Sequence, residues 1–403
     1  MEYFEFDQET IANPYPAYAR LRAANGLVRH RKDGYHFVAR YRDVREAAMR
    51  PEDFSSAIMS ALFKSVPVLS KIPASVFKAA EVLAVADDPD HSVHRKLMKQ
   101  HFTKSPVGEV SQRNLPNIER KLERFLAQGG GDFATDIAST VPVEMTLELL
   151  GFPSSDAAGL KKIVDGCVEL LAGQFPRERR LGAFSAGARL FTYSYKRIRA
   201  LRRHPEKATP VCRALIDAVN DEVLAMALLP GIVAQLIAAG IDSTGSLLGN
   251  ALRMLAESPQ LAQKLRDDAS LVPAFIEECL RLESPFQSHF RVVRRPTELA
   301  GTRLEPGQRL MLLWGSANRD PEAFERPDEL IFDRERVLGP HVAFGYGYHL
   351  CLGAELARAT GRAVVTRVLE RTKSVGLGSA KPVIRSSPYL RTHTSLPLDI
   401  RAA

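Results

Sequence analysis

Apolar residues recur at helical spacing through most of residues 90–282, which predicts a body of packed helices. Outside that stretch the pattern changes. Residues 15–22 predict a short helix, and residues 27–30 and 35–39 read as strands, with Gly34 and nearby charges marking a hairpin between them. Residues 291–313 return to β character around the turn Glu305-Pro306-Gly307-Gln308, and residues 383–400 read as further short strands. Asp88-Pro89 predicts a helix start, since proline is tolerated in the first turn and aspartate can cap it. Residues 55–84 are apolar but irregular, punctuated by Pro67 and Pro73, and are expected to form a buried or substrate-facing loop with a short helix. The expectation is a mainly α protein with a small β-rich portion drawn from both ends. No repeat, low-complexity tract or Pro/Gly/Ser linker divides residues 1–403, so one domain is expected.

Residues 223–241 are apolar enough to suggest a membrane span. Pro230-Gly231 breaks the run, Gln235 interrupts it and Asp242 follows it, so two consecutive helices, the second buried, fit better. The opening residues are acidic and carry no signal-peptide pattern. Cys167, Cys212, Cys279 and Cys351 are scattered without framework spacing, which favours a reducing cytoplasm. The 403 residues are 45% hydrophobic and 25% charged, ordinary for a soluble globular protein. A net charge of +8 invites an anionic partner. The basic residues come in short groups such as Arg177-Glu178-Arg179-Arg180 and Arg202-Arg203, which suit a solvated surface. A docking face for an acidic electron-transfer protein is the specific alternative, ahead of nucleic acid.

The densest chemistry lies in Phe344-Gly345-Tyr346-Gly347-Tyr348-His349-Leu350-Cys351-Leu352-Gly353. Two glycines clear the backbone for a bulky neighbour, and Ala354-Glu355-Leu356-Ala357-Arg358-Ala359 then begins a helix. Free N–H groups and the helix dipole should favour a Cys351 thiolate. The bland alternative is a small buried hydrophobe. Zinc held by His341, His349 and Cys351 lacks a second ligand pair, and Leu350 spoils a dinucleotide loop. An anionic sulfur beside a stripped backbone suggests a ligand to a large flat cofactor.

A second constellation, Ala238-Ala239-Gly240-Ile241-Asp242-Ser243-Thr244, places an acid and two hydroxyls in an apolar helix. They are costly to bury unless bonded or chemically used. Either hydroxyl can bond back to the carbonyl one turn earlier and open the helix locally. Glu278 and Arg281 form an i, i+3 pair, and His91 and Arg95 share a helix face at i, i+4.

The ten-residue string resembles the haem-thiolate loop of the cytochrome P-450 family, F-G-x-G-x-H-x-C-x-G, with every fixed position filled. The resemblance runs from Asn13-Pro14-Tyr15-Pro16 to Leu396-Pro397. It implies the mainly helical triangular-prism fold, haem b as cofactor and Cys351 as axial iron ligand. Phe344, Gly345, His349 and Gly353 would cradle the ring with Ala239, and His91, Arg95, Arg291 and His349 would hold the propionates. Asp242 and Ser243, supported by Thr244, match the family's proton-relay groove, with serine where threonine is usual. Glu278 and Arg281 match its structural E-x-x-R motif, and Phe332-Asp333-Arg334-Glu335-Arg336 makes Arg336 the third member. By the same resemblance Ala238, Phe286, Gln287, His393 and Thr394 would line the substrate pocket.

The implied reaction inserts one oxygen atom from O2 into a steroid-, terpenoid- or similarly sized lipophile. Electrons would come from a separate ferredoxin and ferredoxin reductase that draw on NAD(P)H, with Lys96, Lys99 and Arg358 as docking candidates on a cytoplasmic monomer. A peroxide-driven fatty-acid peroxygenase and a non-enzymatic haem sensor or carrier are the alternatives. The acid–alcohol pair argues against the first.

Overall fold

The computed structural model describes residues 3–59, 78–168, 170, 180–334 and 338–403. Its spine is one helix, Leu229–Glu257, buried along nearly its whole length. Pro230 does not break it but sits in its first turn, where a missing N–H costs nothing. The two helices expected across residues 223–241 are therefore corrected: a helix ends at Asn220, turns follow, and the central helix starts at Leu229. This helix is long and apolar enough to span a bilayer, but most of that window is packed inside the protein, as in a core helix.

Around the central helix pack the helices Val141–Leu150, Ala157–Cys167, Arg180–Arg203, Val272–Leu282 and Ala354–Arg371. Gly245 shows how close one such approach is: a Cβ there would lie 2.6 Å from the carbonyl oxygen of Ala138. One continuous apolar cluster joins these helices, with Ile237, Ile241, Leu248, Phe275, Ile276 and Val365 essentially inaccessible.

The β portion comes from both ends of the chain, as the pattern predicts. A six-stranded sheet runs in the order Tyr3–Phe4, Val28–His30, His36–Val38, Arg309–Leu313, Ser288–Val293, Phe54–Ser55. Val28–His30 and His36–Val38 form the expected antiparallel hairpin, with Gly34 at φ +69° in its turn. A three-stranded sheet of Thr372–Leu377, Pro397–Ala402 and Gly130–Asp132 closes the other end. The helix start at Asp88-Pro89 is also observed: the helix is Asp90–Lys99, and Asp88 Oδ1 accepts the Ser92 N–H at 3.0 Å. Much of the apolar stretch 55–84, and Arg336, lie outside the described residues.

Candidate functional site

Cys351 sits between a turn, Gly347–His349, and the helix Ala354–Arg371. The loop closes on itself: Cys351 N–H donates to the Phe344 carbonyl at 2.8 Å, Leu350 N–H to Gly347 at 3.1 Å and Gly345 N–H to Val342 at 2.9 Å. Gly347 is required twice over. Its φ is +68°, and a Cβ would meet Met49 Sδ at 2.5 Å and the Ala48 carbonyl oxygen at 3.0 Å. The loop is thereby wedged against the helix Tyr41–Ala48.

Cys351 is accessible, yet protein atoms crowd around its sulfur closely enough to desolvate a thiolate. Burial pushes the Cys351 pKa up, outweighing the Gly353 N–H and the charges of Arg95 and Arg358. Helix-start electrostatics alone therefore do not make the thiolate; a metal that binds the sulfur would displace its proton.

Beside the cysteine loop, four side chains from three chain segments converge. The His91 and His349 rings lie 4.1 Å apart, centroid to centroid. Arg291 is buried, and its guanidinium donates to the Phe290 carbonyl at 2.9 Å. Burial lowers its pKa to about 10 against the pull of Asp87. Arg95 is half-buried on the helix face it shares with His91. Burial, then the charges of Arg291, His91, Arg95 and His289, hold His349 down to about 2. Its Nδ1 is buried without a hydrogen-bond partner. Cationic and imidazole donors facing inward, with few carboxylates to satisfy them, fit a dianionic group. This is the fit that haem propionates require.

His289 is the member the sequence reading missed. It follows from strand geometry, because positions 289 and 291 on Ser288–Val293 point the same way. Its Nδ1 accepts the Trp314 indole N–H at 2.8 Å.

The central helix supplies a second wall. Leu236, Ala239, Gly240 and Ser243 are only half-buried in a mostly buried helix, and they recur at helical spacing. Ser243 Oγ donates to the Ala239 carbonyl at 2.6 Å, the expected back-bond. The helix nevertheless runs unbroken through it. Asp242, one residue earlier, points elsewhere. Its Oδ1 is 3.2 Å from Lys161 Nζ on Ala157–Cys167, and its Oδ2 is 3.8 Å from Arg385. Burial raises its pKa despite both cations. Thr244 is buried.

The proposed pocket residues do not all gather with Ala238. Ala238 is buried in the central core, and half-buried Phe286 packs against the same core. Gln287 turns the other way: its Nε2 donates to the Ser284 carbonyl at 2.6 Å, and it borders a small cavity with Tyr18 and Arg391. His393 packs on Gly249, with Nδ1 3.1 Å from where a Cβ would be. That is roughly 16 Å along the helix from Ala238. Thr394 is exposed and donates to the Val383 carbonyl at 3.3 Å. The polar orienting groups expected from Gln287, His393 and Thr394 are therefore elsewhere.

The scaffold beneath the loop is built around Arg281, 1% exposed. It donates to both Glu278 oxygens at 2.7 and 2.9 Å, and to the carbonyls of Asn318, Pro327 and Glu329 at 3.0, 2.5 and 2.8 Å. Arg334 Nε adds a bond to Glu278 at 3.1 Å. Every charge is met, which a buried pair needs if it is not to destabilise. Asn318 Oδ1 then accepts the Val342 N–H at 2.6 Å, tying this scaffold to the loop. Of the docking candidates, Lys96 and Lys99 are exposed and border a cavity of about 440 Å³ with His91, Arg95 and Tyr348. Arg358 is half-buried and bound to Glu277 instead.

Among the described residues no three His, Cys, Asp or Glu side chains form a metal cage. An accessible cysteine near buried cationic and imidazole side chains fits instead a dianionic cofactor held by a single protein ligand. Comparison with known proteins agrees. A family model described as Cytochrome P450 matches residues 188–374. Cytochrome P450 144 of Mycobacterium tuberculosis is 35% identical over 379 residues, covering 92% of this chain and 85% of that protein. Putative cytochrome P450 126 of the same organism is 34% identical over 346 residues, covering 85% and 82%. Among solved structures, CYP109Q5 from Chondromyces apiculatus superposes with a TM-score of 0.83 at 27% identity, covering 98% of this chain and 97% of that one. CYP109E1 from Bacillus megaterium, solved in complex with testosterone, gives 0.86 at 25% identity, covering 98% and 99%. The chain belongs to the cytochrome P450 family. It is a monooxygenase with that family's mainly helical prism fold and haem b as cofactor.

Proposed function

We propose that this monooxygenase acts on a steroid- or terpenoid-sized lipophile, with electrons from a separate ferredoxin and its NAD(P)H-dependent reductase. The haem, when bound, supplies the activation of O2; the chain supplies its ligand, its anchors, a proton path and the substrate wall. Cys351 would ligate the haem iron, with Phe344, Gly345 and Gly353 beside it. His91, Arg95, Arg291, His349 and His289 would hold the propionates. Ser243 donates a proton at its Oγ on the half-open helix face, and Asp242 recharges that face from the Lys161 side, with Thr244 in support. A carboxyl whose pKa is raised by burial suits such a role, since it carries its proton further toward neutral pH.

The observation that carries the substrate class is the apolar wall. The half-open stripe of Leu236, Ala239 and Gly240 bears no charge, and the polar groups first expected there face other parts of the molecule. Such a wall rewards burial of hydrocarbon at about 25 cal/mol per Å² and offers no partner for a carboxylate. The testosterone complex of the similar CYP109E1 supports a ligand of that size. The exposed Lys96 and Lys99 suit an acidic ferredoxin, and we place the protein in the cytoplasm, acting as one domain and one chain. Spectral-shift titration of the ferric protein with steroids, terpenes and fatty acids tests the substrate class. Shifts with the first two support it, and shifts with fatty acids alone overturn it. Turnover with ferredoxin and reductase, set against turnover with peroxide, tests the electron source.

A further inference from the structure

Glu277 lies beside the Glu278–Arg281 scaffold but takes no part in it. Its carboxylate is shared between two groups from different parts of the chain. Oε1 accepts Arg358 Nε at 2.7 Å and Oε2 accepts Arg358 Nη2 at 2.8 Å, a two-pronged pair. Oε2 also meets His341 Nε2 at 3.1 Å. His341 Nδ1 accepts the Ala343 N–H at 3.2 Å, so its ring proton is on Nε2 and points at Glu277. Both partners lie against one aromatic ring. The Arg358 guanidinium carbon is 4.6 Å from the Phe344 centroid, and the His341 ring is 5.9 Å from it. Phe344 is the residue whose carbonyl takes the Cys351 N–H.

We propose that Glu277 is a positioning residue: it clasps Arg358 and His341 beside Phe344 and offsets the arginine's charge, thereby setting how strongly the Cys351 sulfur donates to its metal. This rests on Cys351 as the haem ligand. The geometry assigns the clasp more than a packing role, for two reasons. A half-buried guanidinium needs a partner only to be stable, and any acceptor would do; here the same carboxylate also orients His341, which borders the loop. In addition, the Arg358 guanidinium lies over the ring of Phe344, the residue whose carbonyl takes the Cys351 N–H, so its charge is held against the loop that carries the sulfur. A bare cation beside the sulfur would draw electron density from it. Glu277 cancels that pull while leaving the guanidinium over the ring.

The test is the reduction potential of the haem-loaded protein, read with the band of its reduced carbon monoxide complex. Glu277→Gln keeps the shape but leaves Arg358 uncompensated, so the more negative reduced form is stabilised and the potential moves positive. Arg358→Gln removes the cation and moves it negative. Glu277→Asp keeps the charge and restores a value near wild type. Unchanged potentials in both glutamine variants would overturn the proposal. If Glu277→Gln does not fold, Arg358→Gln decides alone: a negative shift supports the clasp and no shift sinks it. A wild-type protein without the red-shifted carbon monoxide band would instead refute the thiolate assignment beneath it.

Discussion

Lys161 and Asp242 are joined by an ion pair at 3.2 Å between two helices, and Lys161 is also bound to Asp165. Lys161→Met would strand a carboxylate with only Arg385 at 3.8 Å. Because the lysine is partly exposed, the cost should fall between surface and buried pairs, about 1–3 kcal/mol. Urea denaturation near neutral pH measures it, and a variant as stable as wild type would show that the pair is not structural.

Glu277 gives stability an acid limb. Burial raises its pKa, but the bonds and charges of His341 and Arg358 win and bring it to about 2, below its ordinary 4.5. The unfolded chain therefore takes up the proton first. The contribution is complete above about pH 4.5 and is lost as pH falls toward 2. Denaturation of wild type and Glu277→Gln at decreasing pH should show a shallower loss in the variant. Parallel curves would contradict the assignment.

Gly347→Ala should destabilise by about 1–3 kcal/mol through left-handed strain and the Met49 contact. Met49→Ala in the same chain relieves only the thioether. The Ala48 carbonyl and the positive φ remain, so recovery should be partial. Thermal melts of the single and double variants decide this; full recovery would place the whole cost on Met49.

Ser243→Ala removes the donor to the Ala239 carbonyl but leaves the helix continuous. Stability should change by under about 1 kcal/mol. The thiolate spectrum should stay, and more peroxide should be released per NAD(P)H consumed. If coupling is unchanged there and falls in Thr244→Ala, the relay hydroxyl belongs to Thr244.

The fold class was legible because long helical periodicity and turn residues are local signals, and the Cys351 loop because its ten residues are contiguous. Other relationships were not readable locally. Nothing near Asp242 announces Lys161 or Arg385, which reach it from distant segments. Gln287 and His393 were misplaced because the strand face and helix turn they pack on depend on tertiary register. Arg358 reads as a docking candidate because its partner, Glu277, lies on another helix. His289 could have been found, since it shares a strand face with Arg291.

The Trp314–His289 bond has a practical consequence. The chain contains one tryptophan, buried at 3% exposure, and its indole touches the imidazole that borders the cationic recess. Indole fluorescence thus comes from a single emitter beside the cofactor's anchors. Loading with haem should quench it by energy transfer, so the protein carries its own optical gauge of occupancy.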